Sequence, residues 1–323
     1  MIDNRSGAPP AQAAGRRRVL CARWARAAWR ATGIAALAAA TAMTDGASAQ
    51  RVFVLAASDA PPYQQALAGI RQGVGGLALD VTALTATNPD AMRDAIASAG
   101  RDVALVMLGT RASELAARAA PTAPVVNCMV TVDAAHDAPA AINVPLEVPL
   151  DAQLGWLRRL LPATRTVGLL FDPAINTRRI ESLAPALARA GYAPLLAPVT
   201  SRTALPQALE RLPHAVDALL AIPDATVYTP QASKGLLLFS FRNRIPLIGL
   251  SDAWVKAGAL YALDWDYQEL GGYCGALAAR EVANGRPPPP PPRPRVIVNL
   301  HTAEQLHIKW DAELLRSVDR TYE

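Results

Sequence analysis

The sequence predicts an α/β protein made of two doubly wound parallel-sheet domains joined by a hinge of several chain crossings. Three observations carry this. Short β-rich runs alternate with segments of helical periodicity over most of the chain beyond residue 50. Some runs, such as VALVML at 103–108, are apolar at every position, as strands buried on both faces of a parallel sheet are. The alternation lapses at 142–150, where Pro145 and Pro149 interrupt any periodicity, and then restarts. A chain of 323 residues, 51% hydrophobic, is long enough for two cores.

In the first set, residues 51–57 read as a strand, and Tyr63, Ala66, Leu67, Ile70 and Val74 fall on one helical face. Strands follow at 79–84, 103–108 and 124–130, with a helix start at Asn88-Pro89-Asp90. The second set has strands at 166–171, 193–199, 216–222 and 246–250, the last closing it, and helices at 175–189, 204–212 and 230–243; a further strand follows at 259–263. A long helix at 267–283 finds no partner in that set and is expected to return to the first domain. Six prolines at 287–292 are too stiff for helix or central strand and predict an extended polyproline spacer. A last strand at 296–300 and a helical tail would dock on the second domain. The expected division is 50–148 with 262–286 as one lobe, 149–261 with 295–323 as the other, and 287–294 as connector.

The charge is concentrated in one place. Residues 1–49 hold Arg5, Arg16, Arg17, Arg18, Arg23, Arg26 and Arg30 against Asp3 and Asp45, which accounts for the whole net charge of +5. The remainder is neutral, which argues against a nucleic-acid face. Those 49 residues read as a cleavable export signal: a basic region, an apolar stretch at 31–42, and Ala47-Ser48-Ala49 as the cleavage site. Cleavage after Ala49 would put the mature protein in the periplasm. Arg16-Arg17-Arg18 leaves both the general and the twin-arginine export routes open. The apolar stretch falls short of the roughly 20 residues that span a bilayer. Cys128 and Cys274 remain after processing. The expected state is two separate buried thiols, with a disulfide as the alternative that an oxidising compartment permits.

A series of segments resembles a known family: VGLLFDPAIN at 167–176, AIPDAT at 221–226, IPLIG at 245–249, VKAGAL at 255–260, DYQELG at 266–271 and VNLHTA at 298–303. In this order they resemble the ABC transporter substrate-binding proteins of tryptophan/tyrosine type, with the type I periplasmic binding protein fold. The match is weaker from residue 50 to about 149. Cys128-Met129 also stands where members commonly carry an acidic residue and a proline. The resemblance implies capture of a small solute between two lobes, hinge closure, and delivery to a permease in the inner membrane.

In open parallel sheets, ligands bind beyond the carboxyl ends of the strands. The candidate ligand-binding residues are therefore Ser58, Asp59, Thr110, Arg111, Cys128, Asn176, Asp224, Thr226, Ser251, Asp252 and Asp264. Asp172 and Asp266 stand at further strand ends. Carboxylates on one side and Arg111 on the other would suit a small polar or zwitterionic solute such as an amino acid. Tyr63, Tyr228, Trp254 and Trp265 are placed to supply flat walls. The competing reading of Asp172, Asp224 and Asp252 is that each simply caps a helix.

Enzymatic readings lack parts. The four histidines, His136, His214, His301 and His307, show no metal-ligand spacing, and neither a nucleophile elbow nor a phosphate-binding loop is present. No catalytic residue, cofactor or metal is expected, and the protein is expected to be monomeric. The alternative role is a periplasmic sensor that presents its ligand to a receptor kinase.

Overall fold

The computed structural model describes residues 50–83, 103–132, 140–213, 215–283 and 287–323, with 90, 93, 94, 96, 137 and 138. The export signal expected over 1–49 and the helix start at Asn88 and Pro89 lie outside the described residues.

The first sheet contains β1 (Arg51–Ala56), β2 (Ala78–Ala83), β3 (Val103–Leu108), β4 (Val125–Val130) and β5 (Ile142–Pro145). Its order is β2-β1-β3-β4-β5 and every pairing is parallel. This is a doubly wound arrangement, in which the strand order reverses between β1 and β3. The centre of the sheet is apolar throughout: all six residues of β3 are buried. Helices α1 (Pro61–Gly73) and α2 (Thr110–Ala119) follow β1 and β3. α1 opens on Pro61-Pro62, whose missing N–H groups cost nothing in a first turn.

The second sheet repeats that winding and extends it. Its order is β7-β6-β8-β9-β10-β11-β12, formed by β6 (Thr166–Phe171), β7 (Ala193–Pro198), β8 (Ala218–Leu220), β9 (Leu247–Gly249), β10 (Tyr261–Asp264), β11 (Arg295–Asn299) and β12 (Arg320–Tyr322). β10 and β11 pair antiparallel; the other pairings are parallel. The reversal point lies between β6 and β8. Around this sheet run α3 (Leu150–Leu160), α4 (Pro173–Arg189), α5 (Leu205–Glu210), α6 (Pro230–Asn243), α7 (Asp252–Lys256), α9 (Leu300–Gln305) and α10 (Ala312–Arg316).

Between β10 and β11 comes α8 (Tyr267–Ala283), which packs on the first sheet. Its Leu270, Cys274, Leu277 and Ala278 join the core of Val52, Val54, Ile70 and Val106. α8 meets α1 at backbone range. A Cβ added to Gly275 would stand 2.6 Å from the Ile70 carbonyl oxygen, and one on Gly69 or Gly271 would overlap the facing helix's backbone.

Three expectations need correction. Residues 142–145 form an edge strand rather than plain crossing chain, because Ile142, Asn143 and Val144 pair in register with β4 despite Pro145. Edge strands tolerate proline. The chain leaves the second sheet after Asp264, not at 262. Cys128 and Cys274 are bonded as a disulfide rather than standing as separate thiols. They are 146 residues apart in sequence, and only the return of α8 onto β4 brings them together.

Candidate functional site

At the first lobe's reversal point, Gly109 ends β3 with φ +98°, and a side chain there would strike the Tyr63 ring. Tyr63 is thus committed to covering that turn. Thr110 receives a hydrogen bond from the Thr131 amide at 3.0 Å, which ties the ends of β3 and β4 together. Ser58 accepts from the Ala60 amide at 3.1 Å. Asp59 and Arg111 are exposed, and Arg111 makes no ion pair with a described residue. Cys128 is wholly buried and its sulfur is taken up by the disulfide, so it offers nothing to a ligand.

The second lobe's reversal point is a knot of hydrogen bonds. Asp224, 6% exposed, accepts from four donors: the Asp172 amide (2.7 Å), the Asn176 side chain (2.7 Å) and the Thr226 and Val227 amides (2.8 and 2.9 Å). Asp172 caps α4 through the Ala174 amide and accepts from the Thr226 hydroxyl at 2.7 Å. A carboxylate has about four acceptor positions, so Asp224 is filled by its own protein. Asp172 thus caps α4, whereas Asp224 caps no helix: it holds the turn at 224–227 and ties it to the start of α4.

Asp252 and Asp264 are likewise engaged. Asp264 accepts from the Asp252 and Trp265 amides and from the Tyr267 hydroxyl, at 2.9, 2.8 and 2.8 Å. Burial, with the Asp264 charge beside it, pushes the Tyr267 hydroxyl far above the usual phenol range, so it stays a donor. Asp252 is held by Arg320 and the Tyr322 hydroxyl, at 3.0 and 2.9 Å, and so anchors β12. Ser251 precedes α7 without capping it by its side chain. Tyr228 is buried against Trp254, ring centroids 6.0 Å apart, as packing within the second lobe.

Two cavities meet at residues 264–267, because Asp264, Trp265 and Tyr267 line both. One, about 770 Å³, lies between the start of α1 (Pro61, Pro62, Gln65) and Ser251, Asp252, Arg293, Arg295 and Arg320. Each of its three arginines is paired, Arg293 with Asp319, Arg295 with Asp266 and Arg320 with Asp252, and Asp264 and Glu269 add two further carboxylates. The other, about 720 Å³, draws walls from both sheets. Thr131 and Val132 come from the end of β4, Leu220 and Ile222 from β8 and the residues after it, Leu250 from beyond β9, and Leu263 from β10. Leu146 and Val148 come from the first crossing, and Trp265 from the second. The two crossings are joined where Trp265 Nε1 donates to the Leu146 carbonyl at 2.6 Å.

The charged groups on this mostly apolar wall are Glu147, Arg178, Arg179 and Asp264. Sequence reasoning named only Asp264 of these. Glu147 lies in the proline-flanked crossing and Arg178 and Arg179 in the helix expected at 175–189, where no strand-end rule marks them. Of the other candidates, Ser251 and Asp252 line the charged cavity, whereas Ser58, Asp59, Thr110, Arg111, Asn176, Asp224 and Thr226 line neither. Among the described residues, no group of three or more His, Cys, Asp or Glu is placed to hold a metal ion. No helix among them is long and apolar enough to cross a membrane.

Solved structures share this architecture at low identity. A conserved domain protein from Vibrio cholerae is 19% identical with a TM-score of 0.59, covering 84% of this chain and 99% of its own. An ABC domain from Streptococcus pneumoniae in complex with L-Trp is 18% identical with a TM-score of 0.61, covering 85% and 100%. A ligand-free, open substrate-binding protein with adhesive properties from Clostridium difficile is 16% identical with a TM-score of 0.68, covering 84% and 99%. At these identities the likeness establishes the fold, that of a type I periplasmic binding protein. No curated protein matches the chain significantly. Residues 92–322 match the ABC transporter substrate binding proteins, most of the chain, and it belongs to that family.

Proposed function

We propose that the protein is the periplasmic receptor of an ABC uptake system, exported after cleavage behind Ala49, and that it binds one small solute between its lobes without transforming it. The observation that carries this reading is the cavity of about 720 Å³ whose walls come from both sheets and two crossings. A solute held there touches both lobes at once, so it favours the arrangement in which they approach. A permease would then recognise that loaded arrangement.

The walls bear on the solute as well. Leu146, Val148, Leu150, Ile222, Leu250 and Trp265 favour an apolar body, and few charges remain for a polar end. We therefore keep the amino-acid-like class and place its bulky apolar members first. The L-Trp in the Streptococcus pneumoniae relative is of this kind. Of the predicted ligand-contact residues, Asp264 remains as a contact at this wall. Asp59 and Arg111 are proposed to reach the solute only when the lobes come together.

The test is mass spectrometry of the solute that accompanies the purified mature protein, followed by thermal-shift titration of the L-amino acids. A ligand at a hundredfold excess over its dissociation constant stabilises by about 2.7 kcal/mol, which raises the midpoint by about 5 °C. If no solute accompanies the protein and none raises its midpoint, the reading fails.

A further inference from the structure

Arg179 stands on α4 at the wall of the apolar cavity and is only 16% exposed, as is Glu147 at 12%. Its guanidinium serves three acceptors. One nitrogen donates to the Asn176 side-chain oxygen at 2.7 Å and to the Pro223 carbonyl at 2.9 Å. Another donates to Glu147 Oε1 at 2.5 Å. The second oxygen of Glu147 accepts the Val132 amide at 3.0 Å, just beyond β4 of the first sheet. Asn176 in turn donates to Pro223 and Asp224, and Asp224 holds the Asp172, Thr226 and Val227 amides. An unbroken chain of hydrogen bonds therefore runs from the first lobe, through a crossing residue, into the strand ends of the second.

We propose that Arg179 and Glu147 form an interlobe clasp, a positioning pair that sets Pro223 at the cavity wall, orders the turn at 224–227 behind it, and ties both to the end of β4. The chemistry asks for these residue types. A planar guanidinium reaches three acceptors in fixed directions, which a lysine ammonium on a single-point stem does not reproduce. A carboxylate supplies two oxygens facing opposite lobes. Neither charge is well solvated, so replacing one of them costs more than loss of a surface ion pair would. Movement of the lobes about the crossings must shift Glu147 relative to Val132 or to Arg179, so the strand-end loop senses lobe orientation. The inference gains its meaning from the proposed solute site, but its test needs no solute, and either can fail without the other.

The experiment is residue-resolved amide hydrogen exchange on the mature protein and on Arg179→Lys, Arg179→Met, Glu147→Gln and the Arg179→Met/Glu147→Gln double variant. In each single variant, exchange at Val132, Asp172, Thr226 and Val227 should quicken together by about tenfold. Leu105 and Leu219, whose amides bond to Pro124 and Pro246 away from the clasp, should stay at the wild-type rate. The double variant should match the stronger single variant, since both cut the same chain. Arg179→Lys keeps the charge and guards against a variant that does not fold. Quickening at Val132 alone in Glu147→Gln would overturn the proposal, as would equal quickening at Leu105 and Leu219, or additive effects in the double variant.

Discussion

Replacing Cys128 and Cys274 together by alanine cuts the covalent tie between β4 and α8. The two are 146 residues apart in sequence, and the chain between them includes both crossings beside the cavity and most of the second sheet. If the whole protein unfolds in one step, the loop-closure relation for a loop of this length gives about 5 kcal/mol of lost stability at 25 °C. If the second lobe stays folded while the first opens, the free chain in the loop shortens to about 30 residues and the loss falls to about 4 kcal/mol. At about 2 °C per kcal/mol for a protein of this size, the midpoint should fall by about 8–10 °C. Thermal unfolding of the double variant, beside wild type with and without reductant, reads this directly. Thiol titration of the unfolded, unreduced wild type should find no free cysteine in the mature chain. Two free thiols in that titration, or a midpoint within 2 °C of wild type, would refute the reasoning.

Four more outcomes follow from the same contacts. Gly271→Ala places a methyl group into the Ala66 backbone across α1 and α8, and should cost about 3 kcal/mol in urea unfolding. Trp265→Phe removes the bond to the Leu146 carbonyl between the two crossings. It should cost about 1–2 kcal/mol and change the lobe-separation distances seen with paired labels in the two lobes. Asp224→Ala strips four donors of their acceptor and should lower the midpoint of the solute-free protein by several degrees; an unchanged midpoint would restore a purely ligand-binding role for this residue. Asp319 has its pKa lowered: burial alone would raise it, but Arg293 and the Val296 amide outweigh that. A depressed carboxylate contributes stability above its unfolded pKa and loses it as the pH falls through the folded value. Any contribution from this pair should therefore vanish on acidification below about pH 4 and be absent in Asp319→Asn, compared by pH-dependent unfolding.

The architecture was legible because both of its signals are local. Apolar runs such as 103–108 and 166–171 mark buried parallel strands by composition alone, and α8 shows its full length in its own periodicity. What escaped depends on partners distant in sequence. β5 is only four residues long, two of them Asn143 and Pro145 with little strand character, and exists because β4 offers it an edge. β12, three residues at the carboxyl end, is held by pairing to β11 and by the hold of Asp252 on Arg320 and Tyr322. The disulfide could not be read from two lone cysteines, since spacing says nothing about which helix returns to which strand. The near contact of α1 and α8 did leave a trace, small residues at Gly69 and Gly73 and again at Gly271 and Gly275, which reads as a helix pair once one looks for matched spacings.

The candidate site divides along the same line. Polar residues at strand ends are easy to find by eye, but the same positions must close sheets and start helices, and those duties fall due in every state of the protein. Asp224 illustrates the consequence: four donors from its own chain fill it before any solute arrives. Strand ends give the apolar cavity mainly apolar wall, and its charged groups other than Asp264 are drawn from a crossing and a helix face, where no local rule marks them. Glu147 lies in a crossing and Arg179 in mid-helix, and neither is distinctive until the two lobes are put side by side. In this chain, polar strand ends supply the frame, and the charged groups of the cavity wall come mainly from a crossing and a helix. A polar strand end therefore points to the region of a cavity more reliably than to the charged groups that line it.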